Sequence, residues 1–351
     1  SPIPMNTFAA RLALFPLLAT LAPALAAQKA PVRVYVLAGQ SNMEGKAQNK
    51  LLDHQATAPE TREFFAHLRD GDGWAVRDDV YIQFLERRGP LTIGYGSRDR
   101  TGVELEFGTV MGEHFDEPVL LIKTAWGGRS IRKDFRPPSA GMPSDEFLAE
   151  ELANAQKRVQ NQIAKDGKER AMPTMDEIRA GYGHDYRAMI EDVRTTLAEL
   201  GQRFPQLKGR KTELSGFVWF QGWNDQYGGA ELEYEQNLRH LIADVRKDLG
   251  RDDLPFVIGL MGQNGSKPAK GAMLVIQQAQ AAVADMPNVR PVRTDVLIDT
   301  AAEELYPTWK DNIEAWERTG SDHAYHYLGS AIWHVRMGRA FAEAMLDMQS
   351  E

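Results

Sequence analysis

Five short runs of apolar, mostly β-branched residues constrain this chain more than anything else in it. They are Val32–Ala38, Val119–Thr124, Gly216–Phe220, Phe256–Leu260 and Val292–Ile298. None alternates with polar residues, the pattern of strands covered on both faces, as in a parallel sheet. Between them lie stretches of helical period. Tyr186, Ile190, Val193, Leu197 and Leu200 share one face, as do Tyr234, Leu238, Leu241, Val245 and Leu249. Ala272–Asp285 and Ala331–Leu346 also read as helices, the latter from Ile332, Val335, Phe341 and Met345. Strands alternating with helices specify an α/β fold of three layers, helices on both sides of a parallel sheet. In open sheets of this kind ligands bind beyond the carboxyl ends of the strands.

One segment breaks the alternation. Residues 133–181 open with Pro137-Pro138 and continue into a charged stretch whose Leu148, Leu152, Ala155, Val159 and Ile163 form a single apolar stripe. We expect a helical and loop insertion packed on the main domain, either beside the site or as surface decoration.

The N-terminus bears on compartment. Ser1–Pro4 precede the first methionine and read as a cloning scar. From Met5 the chain runs MNTFAARLALFPLLATLAPALAAQ, with Arg11, an apolar stretch from Leu12 to Leu25, and the small-x-small pattern Ala24-Leu25-Ala26. This is the layout of a secretory signal peptide. A membrane anchor is the alternative, but the stretch is short and broken by Pro16 and Pro23. The expectation is residues 1–26 as scar and leader, then one domain over residues 27–351, periplasmic or secreted and without a membrane anchor. The net charge is -8 with no basic stripe, which argues against a nucleic-acid partner. There is no cysteine, so disulfides, cysteine metal sites and a lipoprotein anchor are excluded.

The residues at the strand exits carry the chemistry. Val32–Ala38 runs into Gly39-Gln40-Ser41-Asn42, the second run into Ala125-Trp126-Gly127-Gly128-Arg129-Ser130, and the third into Gln221-Gly222-Trp223-Asn224-Asp225. The fourth runs into Met261-Gly262-Gln263-Asn264, and Ser321-Asp322-His323-Ala324-Tyr325-His326 precedes the last helix. A serine needs a base to take its proton, and histidine is the usual one. A tetrahedral intermediate needs donors aimed at its oxyanion, which backbone N–H groups beside glycine and an Asn or Gln amide can supply. The set suits acyl transfer.

These blocks resemble the SGNH/GDSL hydrolase superfamily, specifically the sialate O-acetylesterase-like carbohydrate esterases. GQSNMEG is similar to the block that holds the nucleophilic serine, here Ser41. KTAWGGRS is similar to the block whose glycine N–H joins the oxyanion hole, here Gly128 over Gly127. WFQGWND contains Gly222, Trp223, Asn224 and Asp225 in the Gly-x-Asn-Asp pattern, and HYLGS carries the histidine, His326. The resemblance spans Val32 to about Leu346 and implies a flavodoxin-like, about five-stranded parallel sheet. It also implies an O-acetylated sugar or polysaccharide as substrate, and no metal or cofactor.

Two departures matter. Many relatives carry a glutamate where Trp223 stands, and many others an aspartate three residues before the histidine, where this chain has His323. Asp322, four before His326, is the expected acid; Asp225, Glu44 and a bare Ser-His dyad are the alternatives. The expected oxyanion donors are the N–H groups of Ser41 and Gly128 and the amide of Asn224. Gln40, Gln221, Trp223 and Glu104 are the expected substrate contacts, with Trp223 placed to stack on a sugar ring. Gln40 and Asn42 also have a second reading, as braces of the Ser41 loop. Glu106 shares the reading of Glu104, and both have the alternative of a solvated helix start. Other functions remain open: an SGNH lipase or thioesterase, or a sugar-binding protein that kept the fold without the catalysis.

Overall fold

The structure, a computed structural model, describes residues 29–350. The expected leader and its cleavage point lie outside these residues. Seven strands form one sheet: β1 (Val32–Gly39), β2 (Val80–Phe84), β3 (Arg87–Pro90), β4 (Val119–Ala125), β5 (Thr212–Phe220), β6 (Phe256–Gly259) and β7 (Val289–Val292). Their spatial order is β7-β6-β5-β1-β4-β2-β3, all parallel except β3, which pairs antiparallel with β2. Five adjacent strands counted from the β7 edge, β4-β1-β5-β6-β7, follow the doubly wound, flavodoxin-like order.

The expected five-stranded sheet is therefore corrected to seven. The missed hairpin of β2 and β3 hides in VYIQFLERRGP, where Gln83 and the charged Glu86, Arg87 and Arg88 dilute the apolar signal. All five residues of β2 are nonetheless buried. The last strand also moves: it is Val289–Val292, and Asp295–Leu297 forms a single 3-10 turn.

The period-2 alternation of each strand divides the core. Val34, Val36 and Ala38 of β1, Leu120 and Ile122 of β4, and Phe217 and Trp219 of β5 face one layer. That layer's helices are α1 (His184–Ala198), α2 (Tyr234–Asp248) and α3 (Gly271–Ala282). Tyr35 and Leu37, Leu121, and Val218 and Phe220 face the other layer. It holds the helix Glu104–His114 and the long C-terminal helix Ala331–Ser350. In residues 133–181 the apolar stripe becomes the 22-residue helix Asp145–Asp166, capped by the Ser144 side chain and ended by Gly167 in the left-handed region. Among the described residues no helix is long and apolar enough to cross a membrane.

After β1 the chain lays β2, β3 and β4 on one side of it, then crosses to β5 on the other. The crevice where strand order reverses thus lies between the ends of β1 and β5.

Candidate active site

Ser41 sits at that crevice, as the first residue of a one-turn helix, Ser41–Glu44, that starts directly off β1. Glycine precedes Gln40 for a steric reason. Gly39 has φ +154°, and a Cβ there would lie 2.0 Å from the Phe220 carbonyl oxygen of β5. Ser41 is 5% exposed and lines a cleft of about 520 Å³ with Gly127, Gly128, Asn224 and His326. Among the described residues its hydroxyl makes no side-chain hydrogen bond, His326 included; the two residues share the lining of the cleft.

The histidine comes from a loop held in an unfavourable shape. Tyr327 and Leu328 have φ of 52° and 61°, left-handed values that cost side-chain-bearing residues free energy. The surroundings enforce them. The Tyr327 hydroxyl is buried, accepts the Gly262 N–H at 2.9 Å and bonds Thr294 Oγ1 at 2.9 Å. The N–H groups of Ser321 and Asp322 both donate to the Leu328 carbonyl, at 2.9 and 3.0 Å. The loop so closed brings Asp322 and His326 together, with Oδ1 3.1 Å from Nδ1. The distance suits ionic attraction, although the imidazole is turned off the line of a good hydrogen bond. Asp322 Oδ1 also accepts the His323 N–H at 2.7 Å, and Arg100 lies 3.8 Å from Oδ2. Burial pushes the Asp322 carboxyl up, but the imidazole, the His323 N–H and the Arg100 charge outweigh it. The net effect holds the carboxyl below its ordinary range. With Nδ1 facing the acid, the His326 Nε2 is the nitrogen left for the cleft.

On the opposite wall, Gly128 has φ +73°, and a Cβ built there meets nothing within 4 Å, so this glycine serves a turn open to the cleft. Among the described residues its N–H has no acceptor. A Cβ on Gly127 would lie 3.9 Å from that of Ser41. Asp225 anchors this loop from behind. Its carboxylate accepts the N–H groups of Ile131 at 2.9 Å and Arg132 at 3.0 Å, and Gln221 Nε2 at 2.6 Å. Burial pushes the Asp225 carboxyl up to about 6, against these hydrogen bonds. Asn224 accepts Gln40 Nε2 on Oδ1 at 3.0 Å and lines the cleft. Its Nδ2 has no acceptor among the described residues.

Several expected site residues are placed elsewhere. Gln221 is buried, with Nε2 donating to Arg129 O and Asp225 and the Tyr234 hydroxyl set against its two carbonyl oxygens, and it does not line the cleft. Glu104 is fully buried against Lys123, 3.0 Å away, and accepts the Gly102 N–H at 2.9 Å. Glu106, equally buried, pairs with His67 and Arg339. Neither heads a solvated helix start. Gln40 reaches the cleft wall, but its amide is spent on the β5 loop. Glu44 pairs with Lys46, and Asp225 is turned to the Gly128 loop, so neither faces His326. Asn42 donates to the Tyr325 carbonyl at 3.1 Å, tying the Ser41 turn to the histidine loop. His323 is exposed, its ring stacked 5.2 Å from that of Tyr325. Among the described residues no cluster of three His, Asp or Glu side chains is placed to hold a metal ion.

Trp223 lines the cleft 5.9 Å from the Tyr325 ring, and Tyr227, 62% exposed, stands beside them. Trp219 lies in the core. Sequence reasoning missed Lys46, Tyr227 and Tyr325 as cleft residues. Tyr325 alone left a signal, as an aromatic between two histidines.

Residues 31–347 match the model of the family described as carbohydrate esterase, sialic acid-specific acetylesterase, and the chain belongs to that family. A comparison with curated proteins finds no match. Similar solved structures include a protein from Arabidopsis thaliana, 16% identical with a TM-score of 0.49, covering 90% of this chain and 98% of that one. NanS is 15% identical with a TM-score of 0.46, covering 92% and 99%. A carbohydrate acetylesterase from Xanthomonas citri is 15% identical with a TM-score of 0.42, covering 76% of this chain and 51% of that one.

Proposed function

From that membership, we propose that this carbohydrate esterase removes O-acetyl groups from sugars by a serine mechanism centred on Ser41. The observation that carries the reading is one cleft lined by Ser41, His326, Gly128 and Asn224, with Asp322 3.1 Å behind the imidazole. His326 Nε2 takes the Ser41 proton as Oγ attacks the acetyl carbonyl. The oxyanion is met by the N–H groups of Ser41 and Gly128 and by Asn224 Nδ2. Collapse breaks the ester C–O bond, and His326 returns the proton to the departing sugar oxygen. Water then attacks the acetyl-enzyme with His326 again as base, giving acetate and free Ser41. Asp322 holds the imidazole and offsets its positive charge.

The rim suits a sugar. Trp223, Tyr325 and Tyr227 offer flat faces to the apolar side of a pyranose ring. The natural substrate is an O-acetylated sialic acid or an acetylated polysaccharide such as xylan, met outside the cytoplasm after residues 1–26 are removed.

The test is acetate release from a panel of O-acetylated glycans. Ser41→Ala and His326→Ala are expected to lower kcat by more than about a thousandfold at unchanged melting temperature. Trp223→Ala is expected to raise KM on glycans while sparing a small aryl acetate. Turnover of Ser41→Ala at the wild-type rate would overturn the serine mechanism.

A further inference from the structure

Gln40 stands next to the candidate nucleophile, yet its side chain points across the crevice to the β5 loop. Its Oε1 accepts the backbone N–H groups of Gly222 at 3.2 Å and Asn224 at 3.3 Å, and lies 3.2 Å from Gln221 Nε2. A backbone N–H can only donate, so these two contacts settle which way the Gln40 amide faces. With Oε1 committed there, Nε2 is the atom that meets Asn224, 3.0 Å from Oδ1. Only an oxygen can accept that bond. The Asn224 amide is thereby set with Oδ1 turned inward and Nδ2 left unpaired on a residue that lines the cleft.

We propose that Gln40 is a positioning residue that fixes the rotamer of Asn224, so that this side chain presents a donor, never an acceptor, to the oxyanion. The inference rests on the oxyanion role given to Asn224 above. An asparagine amide turned by 180° fills nearly the same volume but offers a carbonyl oxygen, which would repel the developing charge. Packing alone does not distinguish the two orientations; the directional bond from Gln40 does. Gln40 lies on the β1 exit and Asn224 on the β5 exit, so the same bond ties together the two sides of the switch point.

Gln40→Glu separates the roles. A carboxylate keeps the shape and still accepts the two backbone N–H groups, but cannot donate to Asn224 Oδ1. The asparagine amide is then expected to turn and give Nδ2 to the carboxylate, placing Oδ1 in the cleft. On an acetylated glycan and on a small aryl acetate, kcat of Gln40→Glu should fall on the order of 10²–10³-fold. KM and melting temperature should stay near wild type. In an Asn224→Ala background, Gln40→Glu should cost less than about threefold more, because the group it orients is gone. As pH falls, the introduced glutamic acid regains a proton to donate, so the activity of Gln40→Glu relative to wild type should rise.

An equal loss of kcat from Gln40→Glu in both backgrounds, or no loss while Asn224→Ala is impaired, would overturn the proposal. Full kcat in Asn224→Ala itself would instead remove the oxyanion role on which it rests. Should Gln40→Glu not fold, Gln40→Met carries the same comparison: its kcat loss should vanish in the Asn224→Ala background, and persistence there counts against the proposal.

Discussion

Asp322 and Asp225 show how the same side chain takes opposite roles within one site. The Asp322 carboxyl titrates below its ordinary 3.8 in the folded protein, so the stabilisation it supplies is present above that pH. It is lost as the pH falls through the folded value. Asp225 runs the other way. Its folded value of about 6 exceeds 3.8, so folding takes up a proton in between. That contribution is present below 3.8 and is lost as pH rises through about 6, an effect of a few kcal/mol. Melting followed against pH should show a shallower low-pH fall in Asp322→Asn and a shallower decline toward pH 6 in Asp225→Asn. Other shifted carboxyls, among them Asp79 and Glu117 at low pH and Asp192 at higher pH, keep the remainder. Activity separates them further. Asp322→Asn should lower kcat by about two to four orders of magnitude, since the amide holds the imidazole in the wrong tautomer. The sequence ranks Asp322 first by its place four residues before His326, but that the loop turns the two side chains to within 3.1 Å is visible only in the fold.

At the level of elements, the Ser41 turn is held from beneath by a charge buried in the sheet. Lys123 of β4 is fully buried, 3.0 Å from Glu104, and donates to the Glu44 carbonyl at 2.8 Å, the last residue of the one-turn helix. Burial lowers the Lys123 pKa, while the Glu104 charge opposes that shift. Removing one partner leaves the other charge buried and unpaired, so Lys123→Met should cost about 3–5 kcal/mol in chemical denaturation. Adding Glu104→Gln should recover part of the loss. A lysine inside an apolar run and a glutamate at a helix start are visible in the sequence, but their pairing is not. Glu104 therefore reads as a rim residue until β4 and Glu104–His114 are packed together. The β2–β3 hairpin is hidden for a related reason: burial of β2 comes from its neighbours, not from its own composition.

Across the whole molecule, the sheet carries two large apolar layers, while Asp145–Asp166 belongs to neither. It buries Leu148 and Ala155 in a small separate cluster with Ile178 and Tyr182, and its charged face meets Lys133 through Glu151. No residue of 133–181 lines the Ser41 cleft. Little apolar contact means a low cost of local opening, so native-state hydrogen exchange in Asp145–Asp166 should be at least about a hundredfold faster than in β1. The sequence by itself determined the α/β class, the four strands β1, β4, β5 and β6, the main helices, the serine, glycine and asparagine blocks at the ends of β1, β4 and β5, and the histidine block before the last helix. Strand and helix period and the local chemistry of turns are properties of neighbouring residues. Only the tertiary structure decided that Asp322 meets His326, that Gln221 and Glu104 are consumed by internal bonds, and that Gln40 sets the Asn224 amide. Hydrogen bonds are directional and short. Gln40 and Asn224, like Glu104 and Lys123, are distant in the chain and meet only once the elements pack. Asp322 and His326 are four residues apart, but the loop that turns them together is closed by the bonds of Tyr327 to Gly262 and Thr294.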